Sequence, residues 1–103
     1  MFFDDVTDNG KTIIVHDRGF YVSLKGNFTT GYLWLLEEKE NENFIFTEES
    51  YVADNDEAIG GGGTVSFCFN LLKPGITKVS FVHKRPWLEE VDKSFSINLD
   101  IRF

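Results

Sequence analysis

Short stretches in which apolar and polar residues alternate with a period of two constrain the fold of this chain more than any other feature. The clearest runs over residues 65–71, and another closes the chain over residues 95–101. Successive side chains of a β-strand point to opposite faces, so this alternation indicates strands with one buried face. Turn-forming residues such as Lys73-Pro74-Gly75 separate the stretches.

This pattern predicts strands over residues 12–16, 20–25, 32–36, 44–47, 51–53, 65–71, 76–83 and 95–101. About seven to eight short strands in a single domain, residues 1–103, predict an all-β, immunoglobulin-like β-sandwich. Trp34, early in the third strand, is expected to be the buried Trp that such sandwiches often contain. Only residues 35–41 offer a helical alternative, and they lack both a capping residue and a sustained helical period.

The composition supports a packed core and limits the kinds of partner. Of the 103 residues, 42% are hydrophobic and eleven are Phe, which is enough apolar material for one core. Seventeen acidic residues against ten basic ones give a net charge of −7, which disfavours binding to nucleic acid or to an anionic membrane surface. A neutral or basic protein partner is compatible with that charge.

Cys68 is the only cysteine, so no intrachain disulfide can form and packing must hold the sandwich together. We expect the free protein to be a monomer. A dimer linked by a disulfide through Cys68 remains an alternative under oxidising conditions. The first residues lack the basic and apolar regions of a signal peptide, and no apolar run nears the roughly 20 residues that span a bilayer. The expected location is the cytoplasm or an endolysosomal vesicle.

Three segments contain residues that a plain turn would not select. In the first, residues 27–32, two threonines and Phe28 occupy the tip of a predicted loop, where Asn, Asp and Gly are more usual. An exposed apolar loop residue is unfavourable in water unless a partner covers it. The alternative is an ordinary strand connection with Phe28 folded back on the core.

The second segment is a run of four glycines, residues 60–63, directly before a predicted strand. Glycine costs conformational entropy, but it lets another backbone approach closely. A phosphate-binding loop is excluded because neither Lys-Ser nor Lys-Thr follows, no helix follows, and acidic residues precede the glycines. A linker is the remaining alternative.

The third segment is Arg85-Pro86-Trp87, in which the proline fixes φ and holds the Trp in one orientation. Arg and Trp are enriched at binding hot spots, and a Trp that caps the edge of the core is the alternative. In an immunoglobulin-like sandwich, the loops that contain these three segments lie at one end. This coincidence favours a binding surface over three separate structural explanations.

With these motifs in this order, the chain resembles the chagasin family of cysteine peptidase inhibitors, which includes the amoebiasins. The family pattern Asn-Pro-Thr-Thr-Gly-Tyr, with Trp two residues on, is similar to residues 27–34, where Phe28 replaces the proline. The family's Gly-x-Gly-Gly and Arg-Pro-Trp/Phe elements are similar to residues 60–63 and 85–87. The resemblance covers essentially the whole chain.

The resemblance implies a reversible inhibitor of papain-like (clan CA) cysteine peptidases that occludes the active-site cleft with three loops. It implies no cofactor, no metal and no catalytic residue. Thr29 and Thr30 would lie over the catalytic Cys and His, the glycine segment would pair with the non-primed side, and Trp87 would pack on the primed side. The peptidase-binding residues that it implies are Asn27, Phe28, Thr29, Thr30, Gly31, Tyr32, Gly60, Gly61, Gly62, Gly63, Arg85, Pro86 and Trp87.

Other classes of function have less support. A Cys-His enzyme lacks a base near Cys68, whose alternation with Phe67 and Phe69 indicates a half-buried structural thiol. Residues 54–57 partly fit a calcium loop but fit a solvated acidic loop better. The better rival is an immunoglobulin-like adhesion or carbohydrate-binding module, which explains Trp87 but not a glycine segment beside a Thr-Thr-Gly loop.

Overall fold

The computed structural model describes residues 9–26, 31–53 and 62–103, and these form seven β-strands in two sheets. The strands are β1 (Thr12–Val15), β2 (Gly19–Gly26), β3 (Leu33–Leu36), β4 (Phe44–Ala53), β5 (Gly63–Leu71), β6 (Gly75–Lys84) and β7 (Val91–Ile101). One sheet has the order β1-β7-β6-β3 and the other has the order β2-β5-β4. All neighbours are antiparallel except β1, which runs parallel to β7. The predicted all-β sandwich is confirmed.

The core lies between the two sheets and consists of the inward-facing residues of the alternating stretches. Phe67 of β5 and Phe81 of β6 belong to opposite sheets, and their ring centroids are 4.7 Å apart. Burial of each large apolar side chain stabilises the fold by about 1.5–3 kcal/mol. The buried hydrophobic residues are Val15, Phe20, Val22, Leu24, Trp34, Phe44, Val65, Phe67, Phe69, Leu71, Val79, Phe81, Phe95, Ile97, Leu99 and Ile101.

The two short strands predicted between residues 44 and 53 are a single strand, β4, with a bulge after Phe46. Before the bulge, Phe46 pairs with the buried Phe69. After it, Tyr51 pairs with the buried Val65. The bulge therefore shifts the alternation by one residue, and this break in the period made one strand look like two.

The helical alternative for residues 35–41 is not adopted. β3 continues to Leu36, and the Asn41 side-chain oxygen then accepts hydrogen bonds from the N–H groups of Asn43 at 2.8 Å and Phe44 at 3.1 Å. Such a side-chain bond to the local backbone favours a turn over a helix. Among the residues that the structure describes, none forms a helix long and apolar enough to cross a membrane.

Trp34 is buried, as predicted, with 3% of its surface exposed. Its indole Nε1–H donates to the Lys25 carbonyl at 3.0 Å. Because Trp34 belongs to β3 and Lys25 to β2, this bond joins the two sheets. It lies close to the end of the sandwich from which the 27–32 loop leaves, so it fixes the base of that loop.

Candidate functional site

The strand ends that border two of the three predicted loops lie at one end of the three-stranded sheet. Gly63, the first residue of β5, pairs with Gly26 at the end of β2 and with Ala53 at the end of β4. These three residues, which border the 27–32 and 54–62 loops in the chain, therefore form a single row of paired residues.

The four-stranded sheet brings the third loop to the same end. Lys84, at the end of β6, pairs with Leu33 at the start of β3 and with Val91 at the start of β7. The 27–32 loop precedes β3, and the 85–90 loop joins β6 to β7. The name "loop end" is used below for Gly31, Tyr32, Gly62, Gly63 and residues 85–91.

Gly31 brings two of the predicted motifs into contact. Its φ of +85° lies in the left-handed region that favours glycine. A Cβ atom at this position would lie 2.8 Å from Cη2 of Trp87, which is closer than real side chains tolerate. The Trp87 ring therefore rests against the backbone of the first loop, and no side chain fits between them.

A β-turn over residues 85–88 sets the direction of Trp87. The Leu88 N–H donates to the Arg85 carbonyl at 3.0 Å and closes the turn. Pro86 occupies the second position, where its fixed φ is favourable, and Trp87 follows without a positive φ, which fits type I rather than type II. The turn presents Trp87 to solvent, with 69% of its surface exposed.

Gly63 is glycine for a packing reason. A Cβ atom on Gly63 would collide with the ring and hydroxyl of Tyr51, which lies across it from β4. Gly63 is consequently buried, whereas Gly62 is half-buried. Within the described part of the glycine segment, the backbone accessible to a partner is that of Gly62.

Aromatic rings support the first and third loops from inside the sandwich. The rings of Tyr32 and His83 are parallel, with an interplanar angle of 9° and centroids 5.2 Å apart. His83 also contacts Trp34, with centroids 4.9 Å apart, and the Arg85 guanidinium lies 4.7 Å from the centre of the Tyr32 ring. Tyr32, His83 and Trp34 are called the ring stack below. It links the end of the first loop to the start of the third.

The sequence prediction missed His83 and Asp92 as residues of this site. His83 is 8% exposed, and its Nδ1 lies 3.0 Å from Oδ2 of Asp92. The alternation of β6 could have indicated His83, because it follows Val79 and Phe81 on the buried face. Asp92 gave no such signal, since it lies at a bulge where the register of β7 against β6 shifts.

Five exposed apolar side chains belong to the loop end or lie next to it on β4. Each has between 43% and 69% of its surface in contact with solvent. Apolar groups that cluster in this way mark an interaction surface, because contact with water is unfavourable for them. They are Tyr51, Val52, Trp87, Leu88 and Val91.

Seven of the predicted peptidase-binding residues lie together at the loop end, and the others lie outside the described residues. Those at the loop end are Gly31, Tyr32, Gly62, Gly63, Arg85, Pro86 and Trp87. Those outside the described residues are Asn27, Phe28, Thr29, Thr30, Gly60 and Gly61, and residues 54–57 of the possible calcium loop also lie there. Within the described ranges, no group of three or more His, Cys, Asp or Glu side chains could hold a metal ion.

Comparison with known protein families identifies the family to which the chain belongs. The family model "Chagasin family peptidase inhibitor I42" matches residues 16–100, which include strands β2 to β6, all but the last residue of β7, and all three loops. The chain belongs to the chagasin family. As a chagasin-family cysteine protease inhibitor, it is a binding protein and not an enzyme.

Two relatives of this chagasin-family protein come from protozoa. It is 31% identical over 70 residues to chagasin of Trypanosoma cruzi, and the match covers 64% of this chain and 64% of chagasin. It is 29% identical over 100 residues to amoebiasin-1 of Entamoeba histolytica, and that match covers 92% of this chain and 95% of amoebiasin-1.

Solved structures share the fold. The cysteine protease inhibitor EhICP2 from Entamoeba histolytica superposes with a TM-score of 0.84 at 22% identity, over 98% of this chain and 94% of that one. PbICP-C, solved in complex with falcipain-2, superposes with a TM-score of 0.69 at 17% identity, over 98% of each chain. At these identities the likeness establishes the sandwich and its topology.

The environment of Cys68 agrees with an inhibitor that uses no nucleophile. Cys68 lies half-buried on the outer face of β5, where it pairs with Tyr21 and Glu48. Burial, followed by the nearby Glu48 carboxylate, raises the pKa of the Cys68 thiol. A raised pKa keeps the thiol protonated and unreactive at neutral pH. The predicted structural thiol fits this environment.

Proposed function

We propose that this chagasin-family protein inhibits papain-like cysteine peptidases by covering their active-site cleft with the loop end. The observation that carries the proposal is the contact of the exposed Trp87 with Gly31, which joins two family motifs into one surface. The complex of PbICP-C with falcipain-2 supports the choice of target, because it involves the same fold.

Each loop has a distinct role in the proposal. The 27–32 loop lies over the catalytic Cys and His, where the hydroxyls of Thr29 and Thr30 bond to polar groups and exclude substrate and water. Such a loop escapes cleavage when it offers no carbonyl in attack geometry. The glycine segment pairs with the non-primed side of the cleft through the backbone of residues 60–62, because Gly63 is buried and already paired within the sheet. Trp87 packs on an apolar surface of the primed side.

The proposed inhibition is tight and reversible, and it needs no cofactor. Trp87, Gly31 and Arg85 are already held in the free protein, so fewer side chains must be ordered on binding. A total interface of about 1,600 Å² is standard for a protease and its inhibitor. We propose one inhibitor monomer per peptidase.

Titration of papain with the protein tests this function. Peptidase activity should fall with rising inhibitor concentration and should return after dilution of the complex. A serine peptidase of unrelated fold serves as the control and should keep its activity. Papain that stays fully active in micromolar protein would refute the proposal.

A further inference from the structure

His83 is the one polar side chain among the buried residues of the described structure, and it lies beneath the loop end. A buried polar group is unfavourable unless it is hydrogen-bonded. Asp92 supplies the bond from a half-exposed side chain, with 3.0 Å between Oδ2 and the His83 Nδ1. Because a carboxylate can only accept, Nδ1 carries the proton and donates a hydrogen bond to Oδ2 of Asp92.

A bulge in β7 explains how Asp92 comes to meet a buried ring. His83 pairs with Lys93 and Lys84 pairs with Val91, so Asp92 is the extra residue between two positions of the ladder. Extra residues of this kind depart from the regular alternation and redirect a side chain. The bulge thus places the Asp92 carboxylate next to His83, beneath the loop end.

We infer that His83, held by Asp92, is a positioning residue for inhibition. The hydrogen bond fixes the plane of the His83 ring, and Tyr32 stacks parallel to that plane while Arg85 lies over Tyr32. The orientation of one buried ring therefore sets where the first loop ends and where the third begins. The inference rests on the proposed function, because it assigns a role in that binding.

A positioning residue differs kinetically from a contact residue. When the loop end of the free inhibitor is correctly formed only part of the time, the association rate falls by that fraction. The complex, once formed, then dissociates at its usual rate. Loss of the Asp92 bond should therefore slow association, whereas loss of a direct contact such as Trp87 should speed dissociation.

Asp92→Ala is the main variant, because it removes a half-exposed side chain and leaves the core filled. Association with papain should slow about three- to tenfold, while the dissociation rate should stay within about twofold. In the free protein, the NMR shifts of the Gly31 α-protons, which the adjacent Trp87 ring displaces, should move toward random-coil values. Asp92→Asn keeps an oxygen that accepts from Nδ1 and should behave as the wild type.

Two further variants make the test specific. Asp100→Ala removes the same charge near the opposite end of β7 and should change neither the association rate nor the Gly31 shifts. His83→Phe keeps a ring in the stack but cannot donate to Asp92, so it should slow association as much as Asp92→Ala. Combining the two changes should add nothing, because both break one bond. Urea unfolding verifies that every variant is folded.

Unchanged association together with unchanged Gly31 shifts in Asp92→Ala would overturn the inference. A loss shared by Asp92→Asn or Asp100→Ala would also overturn it, because charge rather than the hydrogen bond would then be responsible. A wild-type protein that leaves papain active would refute the proposed function alone. The Gly31 shifts of the free variants would still decide whether His83 and Asp92 hold the loop end.

Discussion

At the scale of single residues, two glycines have nearly the same backbone conformation. Comparing them distinguishes the effect of backbone strain from the effect of the contact with Trp87. Gly10 has a φ of +80° and Gly31 a φ of +85°, both in the left-handed region. A Cβ atom on Gly10 would meet nothing within 4 Å, whereas one on Gly31 would lie 2.8 Å from Trp87. Alanine introduces the same backbone strain at both sites but displaces Trp87 only from Gly31.

Gly31→Ala and Gly10→Ala should therefore affect inhibition differently. Each should lower the free energy of unfolding by about 1–2 kcal/mol, which urea denaturation measures. Only Gly31→Ala should weaken the inhibition of papain, by about tenfold or more, because the ring of Trp87 must move. Equal inhibition by the two variants would show that the contact between Gly31 and Trp87 does not shape the binding surface.

Trp87 itself is expected to contribute to binding far more than to folding. It is 69% exposed, so Trp87→Ala should change the free energy of unfolding by less than about 1 kcal/mol. Binding to papain should weaken by about 2 kcal/mol or more, mainly through faster dissociation. Ile76→Ala, at a site that is 77% exposed near the other end of β6, is the control and should leave dissociation unchanged. An unaltered dissociation rate in Trp87→Ala would refute its role as a hot spot.

At the scale of strands, the sequence correctly predicts strands whose alternation of apolar and polar residues is regular. The prediction fails where a β-bulge interrupts that alternation. β5 and the inward-facing part of β7 were predicted because their alternation is unbroken from Val65 and Phe95 onward. β4 was predicted as two strands because its bulge changes which residues of the alternation face the other sheet. The bulge at Asp92 hid a residue of the site in the same way, since only the pairing of two distant strands brings Asp92 to His83.

The outer face of β5 provides a prediction about the reactivity of Cys68. Burial and the Glu48 carboxylate raise the pKa of the Cys68 thiol, so the reactive thiolate is scarce. Alkylation by iodoacetamide at mildly alkaline pH should be slower in the folded protein than in urea. Glu48→Gln should increase the folded-state rate, because it removes the smaller of the two causes. Equal rates in folded and unfolded protein would contradict this account.

The same shift in the pKa of Cys68 makes stability depend on alkaline pH. Folding raises this pKa, so above the unfolded value of about 8.5 the folded protein keeps a proton that the unfolded chain releases. The free energy of unfolding should therefore fall as pH rises from there to the raised folded pKa. Cys68→Ser should remove this component. An identical alkaline profile in wild type and Cys68→Ser would contradict it.

At the scale of the whole molecule, topology gathers residues that are distant in the sequence. Gly31, Gly62 and Trp87 lie at one end because β2, β4 and β6 all finish there and the loops that follow them start there. The sequence predicted that the three loops lie at one end, because loops at these positions cluster in an immunoglobulin-like sandwich. It could not predict the contact of Trp87 with Gly31, because the direction of a ring depends on packing between two loops.

The net charge of −7 predicts how association responds to salt. Attraction to a peptidase of net positive charge should accelerate association at low ionic strength, where the screening length is about 30 Å at 0.01 M against about 3 Å at 1 M. Stopped-flow association rates should therefore fall with added salt for a basic peptidase and rise for an acidic one. Dissociation should respond weakly to salt, because apolar contacts such as that of Trp87 are retained. The same salt response with both peptidases would mean that the overall charge of the inhibitor does not steer its encounter.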